Sequence, residues 1–271
     1  MKRENLQKLL IINWTKPKIC NKMSTYYRMA DEERKLAKTQ GVVDYYESCS
    51  DKCCRCGRYK LTYDEIEALN QLRSRCKILY NKDNAAHTEM LKQLWRVTFP
   101  ELEPPEDCIS VKWKEIGFQG TDPGTDFRGA GIFGLQQILY LATHYPQEYK
   151  QFIESATDYS FCISALNVTH FYMYYFQLLE NRAVGIPGLR RAALKPMKVF
   201  CGLNLLDSDA INEIFVAAVF KMHAEWQELK KTRKVNVMNF PTVIIRAVNY
   251  VEDILYTLPQ DIAKFKQLAF N

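Results

Sequence analysis

Apolar residues recur at helical spacing along most of the chain, and the clearest case starts at Thr62. Thr62 and Glu65 have the spacing of a capping box, in which each side chain satisfies a backbone N–H of the first turn. Ile66, Leu69, Leu72, Cys76 and Leu79 then follow on one helix face. A second helix is predicted from about Thr88 to Phe99, where Pro100 stops it. Residues 132 to 145 are apolar on nearly all sides, as a buried helix is. Another helix is expected up to residue 180, capped by Asp158. Asp207 or Ser208 caps the next, whose stripe is Ile211, Ile214, Phe215, Ala218, Met222, Trp226 and Leu229. Pro241 opens a last long helix ending near Leu258.

Between these segments the pattern breaks. Residues 101 to 107, with Pro104 and Pro105, read as a linker. Residues 181 to 206 contain Gly185, Pro187, Gly188, Pro196 and Gly202 and read as an irregular loop. Near the start, residues 3 to 13 form a short amphipathic helix candidate with Leu6, Leu9 and Leu10, ended by Pro17. Residues 31 to 47 read as a polar helix. No run of alternating strands and no internal repeat occurs, so the predicted fold class is all-α.

One stretch imitates a membrane span: residues 159 to 179 contain no Lys, Arg, Asp or Glu. Ser160, Ser164 and Asn167, however, place polar groups on one helix face, with His170 and Gln177 beyond them. In lipid those groups would lie dry at a cost of kilocalories, so a buried globular helix is expected and no transmembrane segment. With 47% hydrophobic residues, the 271-residue chain can fill a sizeable core. The absence of a signal-peptide pattern and the odd count of nine cysteines point to a soluble, cytoplasmic chain with free thiols.

The formal charge is +6, densest in residues 182 to 198 and at Lys230, Lys231, Arg233 and Lys234. Such patches are ordinarily solvated surface, and they also suit an acidic protein face or an anionic membrane. No finger, RNP or basic-zipper pattern accompanies them, which argues against nucleic acid.

Candidate chemistry narrows to one place. Cys49, Cys53, Cys54 and Cys56 contain a single C-x-x-C without a second pair, so packing is the expected role and no metal site is assigned. His87, His144, His170 and His223 are scattered, and no nucleophile elbow, P-loop or paired-carboxylate pattern occurs. Gly129, Gly131 and Gly134 spell G-x-G-x-x-G, but no buried strand precedes them, so no dinucleotide site is expected. These are three of six glycines packed into residues 117 to 134, more than half of the chain's eleven. Trp113, Phe118 and Phe127 would anchor such a loop, and Arg128 on it would be positioned for a phosphate or carboxylate. Alternatively, Arg128 only pairs with Glu115, Asp122 or Asp126 inside the turn.

The run W-x-x-I-G-F-Q-G-x-x-P-x-T-D-F-R-G-x-G over residues 113 to 131 resembles the signature of the ELMO domain. The resemblance extends over roughly residues 85 to 258, with residues 1–84 as a helical N-terminal region and 259–271 as a C-terminal tail. Long members carry armadillo-like repeats and a pleckstrin-homology domain and partner DOCK-type exchange factors; this chain has room for neither appendage. The short ELMOD branch is implied to comprise GTPase-activating proteins for Arf-family GTPases, chiefly Arf-like ones. The resemblance implies that Arg128 is the essential residue. It also implies that Trp113, Gly117, Phe118, Gln119, Gly120, Pro123, Thr125, Asp126, Phe127, Gly129 and Gly131 form the binding segment. The implied enzyme role is stimulation of a partner that itself holds GTP and Mg²⁺, so no cofactor is expected on this chain. The alternative is a non-catalytic module that grips a small GTPase or a DOCK-type exchange factor. Peripheral contact with an organelle membrane is left open by residues 3 to 13.

Overall fold

The computed structural model describes residues 59–179, 190–232 and 239–270. The helices expected at residues 3 to 13 and 31 to 47, and the cysteine run from 49 to 56, lie outside the described residues. Among the described residues there are nine α-helices and no strand: α1 (Tyr63–Cys76), α2 (Ala85–Thr98), α3 (Gly131–His144), α4 (Pro146–Ser155), α5 (Phe161–Tyr175), α6 (Leu194–Leu206), α7 (Ala210–Thr232), α8 (Phe240–Tyr256) and α9 (Ile262–Phe270). The fold is all-α, as expected.

Helix α1 starts with the capping box read from the sequence. Thr62 Oγ1 accepts from the Glu65 N–H, and Glu65 Oε2 accepts from the Thr62 N–H. Helix α2 starts three residues earlier than expected because Asn84 Oδ1 accepts from the Ala86 N–H. Helices α3, α5 and α7 form the centre. Helix α7 packs against α3, α5, α6, α8 and α9, and α3 against α1, α2, α4 and α5. The α7 stripe is buried from Ile211 to Trp226. Helix α9, beyond the expected domain boundary, packs on α7 and α8 with Phe265 fully buried.

Helix α5 holds the charge-free stretch. Two of its hydroxyls bond back within the helix: Ser164 Oγ donates to Ser160 O and Thr169 Oγ1 to Ala165 O. Among the described residues no helix is long and apolar enough to cross a membrane. Two expectations about α5 are corrected. Asp158 does not cap it; its carboxylate accepts from Trp226 Nε1 and Lys230 Nζ on α7. The helix also ends at Tyr175, short of residue 180. Gln177 takes a left-handed conformation (φ 57°), its N–H donates to Tyr174 O, and the Leu178 N–H donates to Met173 O. This is a Schellman ending built on glutamine where glycine is usual.

The irregular loop expected over residues 181 to 206 is also corrected, because its second half is helix α6. Pro196 is the third residue of α6, where a missing N–H costs nothing. Gly202 sits where α6 crosses α1, and a Cβ there would lie 3.7 Å from Glu65 Oε1. Phe200 stacks on Phe176 with ring centroids 3.8 Å apart. The cations of this region are engaged in part. Arg190 pairs with Glu252 and Lys198 with Glu65, while Arg191 lies over Tyr174 and Lys195 over Tyr256.

His223 on α7 lies in a tight polar niche against α4 and the start of α5. Its ring nitrogens meet Tyr159 OH at 2.7 Å and Ser155 Oγ at 3.1 Å, and Phe152 covers one face. Burial, aided by the nearby Lys230 and opposed by Asp158, lowers its pKa from 6.5 to about 4. The unfolded chain therefore binds a proton here at a pH where the folded one does not. Stability should fall as pH drops from 6.5 towards 4. Thermal melts of His223→Gln should show a shallower loss over that window than the wild-type protein.

Candidate functional site

The loop between α2 and α3 is pinned at several points. Trp113 ends up in an aromatic chain that runs from Trp95 through Trp113 and Phe118 to Phe127 and Tyr80, with successive ring centroids 5.1 to 5.8 Å apart. Trp113, Phe118 and Phe127 are all buried, and Trp113 Nε1 donates to Cys108 O at 2.9 Å. A short 3-10 turn (Pro123–Asp126) follows, started by Asp122, whose Oδ1 accepts from the Gly124 N–H at 2.9 Å.

Two glycines let the loop touch other elements closely. Gly117 has φ 93°, and a Cβ there would stand 2.3 Å from the Phe161 backbone nitrogen. That closeness lets Ile116 O accept from the Cys162 N–H and Gly117 O from the Ile163 N–H, in the first turn of α5. Gly131 has φ 59°, and its Cβ would stand 2.4 Å from Ile78 O, the acceptor of the Ile132 N–H. The G-x-G-x-x-G run thus serves close packing: Gly134 faces Leu166 of α5 and Gly129 faces His170.

Asp126 braces the loop from inside. Its Oδ2 accepts from the Gln119 N–H at 2.9 Å, while Oδ1 is buried without a hydrogen-bond partner among the described residues. Desolvation raises its pKa to about 6, against the opposing pull of the Gln119 N–H and of Arg128.

Arg128 is exposed. Its Nε donates to Thr125 O at 2.8 Å, which holds the stem of the side chain to the turn. No ion pair links it to a described carboxylate. The three acids expected as its partners are used elsewhere: Glu115 pairs with Lys112 at 3.0 Å, Asp122 caps the turn, and Asp126 accepts from Gln119. The terminal amines of the guanidinium therefore have no acceptor among the described residues.

The twelve residues expected to form the site divide sharply. Arg128, Gly129 and Thr125 are exposed. Gly117, Gln119, Gly120 and Asp126 are half-buried, and Trp113, Pro123, Phe118, Phe127 and Gly131 are buried. Most of the motif therefore shapes and supports the turn, and only its tip is free to touch another molecule. Sequence reasoning missed Ile78, Leu79 and Tyr80, which border the same turn. Leu79 was expected on the buried stripe of α1, but α1 ends at Cys76 and Leu79 is 70% exposed. A groove of about 670 Å³ lies elsewhere, against Tyr145, Phe220, Lys266 and Phe270, and none of the loop residues borders it. Among the described residues no group of His, Cys, Asp and Glu is placed to hold a metal.

An all-α domain that presents one arginine from a glycine-rich turn braced by aromatic side chains defines the class. The ELMO/CED-12 family model matches residues 70–244, well over half of the chain, and the chain belongs to that family. Among similar proteins, ELMO domain-containing protein C of Dictyostelium discoideum is 26% identical over 245 residues, covering 90% of this chain and 36% of that protein. ELMO domain-containing protein A of the same organism is 39% identical over 85 residues, covering 31% and 9%. Human ELMO domain-containing protein 2 is 35% identical over 130 residues, covering 46% and 41%. The chain thus spans less than half the length of each of these relatives.

Gly117 offers a direct test of how the loop is held. Gly117→Ala forces a Cβ into the α5 backbone from a left-handed residue. It should cost about 3 kcal/mol or more, read as a lowered midpoint in denaturant unfolding.

Proposed function

We propose that this protein is a GTPase-activating protein for Arf-like small GTPases, and that Arg128 acts as an arginine finger supplied in trans. The observation that carries this reading is the state of Arg128: exposed, tied by its stem to Thr125, and not consumed by any described carboxylate. Membership of the ELMO/CED-12 family supports it, and so does similarity to the human ELMO domain-containing protein 2.

The chemistry follows from charge. During hydrolysis, negative charge spreads over the oxygens of the γ-phosphoryl group as it is transferred. A guanidinium that bridges two such oxygens stabilises that state more than the ground state, and an arginine finger contributes ~10³ to 10⁵ in rate. The partner GTPase supplies the GTP, the Mg²⁺ and the attacking water. This chain supplies one cation in a fixed place. Because the loop backbone is pinned at Gly117, Phe127 and Gly131, little backbone entropy is lost when Arg128 docks.

Lysine offers a point charge in place of a planar fork, so it does not replace arginine here. Arg128→Lys should lower single-turnover GTP hydrolysis by the partner by about 10³-fold or more. Its melting temperature should stay within about 2 °C of wild type, because the side chain is exposed and makes one hydrogen bond. A folded Arg128→Lys variant that stimulates hydrolysis at the wild-type rate would leave the domain as a gripping module without a finger.

A further inference from the structure

The strip that leaves α1 is fastened to the Arg128 turn at both ends. At its start, Ile78 O accepts from the Ile132 N–H at 3.1 Å, across the gap left by Gly131. At its end, the Tyr80 ring packs on Phe127 with centroids 5.1 Å apart. A Cβ on Gly124 would meet Tyr80 at 2.8 Å. The turn that carries Arg128 lies between Gly124 and Gly131, so the strip runs alongside it. Yet the two apolar side chains before Tyr80 point outward: Ile78 is 48% exposed and Leu79 is 70% exposed. A single exposed leucine is ordinary. Two adjacent apolar residues on a strip held against the turn on both sides of Arg128 are a different matter, because the contacts at Gly124, Phe127 and Gly131 keep strip and turn side by side.

We propose that Ile78 and Leu79 form an apolar docking rim for the partner, covered by an uncharged apolar patch beside the nucleotide on a GTP-bound small GTPase. The inference rests on the function proposed above and assigns these two residues the task of holding the partner while Arg128 does the chemistry. The physical reason is twofold. Arg128 reaches a γ-phosphoryl group only when its turn is pressed against the nucleotide-bearing face, and that motion buries the neighbouring strip. Covering the strip removes apolar surface from water and also excludes water from around the guanidinium, which strengthens its pull on phosphate.

The test separates holding from chemistry. Wild type, the Ile78→Ser/Leu79→Ser double variant and Arg128→Lys are each measured in two ways against a panel of Arf and Arf-like GTPases. Binding is read with GTPases loaded with a non-hydrolysable GTP analogue. Hydrolysis is read in single turnover against increasing concentration of this protein. The double variant should bind about tenfold more weakly or worse. Its half-saturating concentration should rise by the same factor, raising its concentration should recover the rate, and its melting temperature should match wild type. Arg128→Lys should show the reverse pattern, with retained binding and a rate that concentration does not recover. A folded double variant that binds as tightly as wild type overturns the docking rim and leaves the finger standing. If Arg128→Lys keeps the full rate while the double variant still binds weakly, the finger falls and the rim stands. Failure of the wild-type protein to bind any GTPase of the panel overturns both.

Discussion

Helix α5 starts without a side-chain cap of its own, and the rest of the site depends on how that start is completed. A helix N-terminus leaves backbone donors that must find acceptors, above all in a buried helix. Here the acceptors are the carbonyls of Ile116 and Gly117, offered by the loop that carries Arg128. The contact is close enough to exclude any side chain at Gly117. The central helix and the functional loop therefore complete each other: the loop satisfies the helix, and the helix holds the loop at a fixed height.

From that contact the rigidity spreads through aromatic edges. Trp113 sits three residues before Ile116, and its ring meets Trp95 of α2 and Phe118 in near-perpendicular pairs. Phe118 meets Phe127 in the same manner, at 5.8 Å. Arg128 is the next residue in the chain. Its backbone is thus held by a buried ring on one side and by the Gly131 crossing with Ile78 on the other. The loop is long, but its tip has little freedom left to lose on binding.

Buried carboxylates tie distant segments of the bundle together. Glu213 on α7 accepts from Tyr140 on α3, from Tyr145 and from Lys266 on α9. Glu252 on α8 accepts from Tyr175 on α5 and pairs with Arg190. Glu65 caps α1 and also takes Lys198 from α6. Such groups gain little net stability from their charges, since desolvation offsets much of the attraction. Leaving one of them unpaired would be costly, which disfavours other registers of the helices they join.

What the sequence by itself determined is local or periodic. The helix stripes, the capping box at Thr62, the all-α class and the signature over residues 113 to 131 were all legible. Each depends on neighbours a few residues apart, or on a long and specific motif. Only the tertiary structure decided the rest. Gln177 ends α5 in a conformation expected of glycine. Pro196 and Gly202 sit inside a helix because one falls in its first turn and the other at a crossing with α1. Asp158 turns away from α5 to meet Trp226. Leu79, spaced like a core residue, lies on the surface because its strip is drawn off to cross Gly131 and to pack Tyr80 on Phe127. The division of the motif into buried braces and one exposed arginine belongs to the same class. Gly202, Asp158, Leu79 and the division of the motif depend on contacts between residues far apart in the chain, and periodicity along a single strand of sequence carries no information about which distant backbone will arrive at a given glycine.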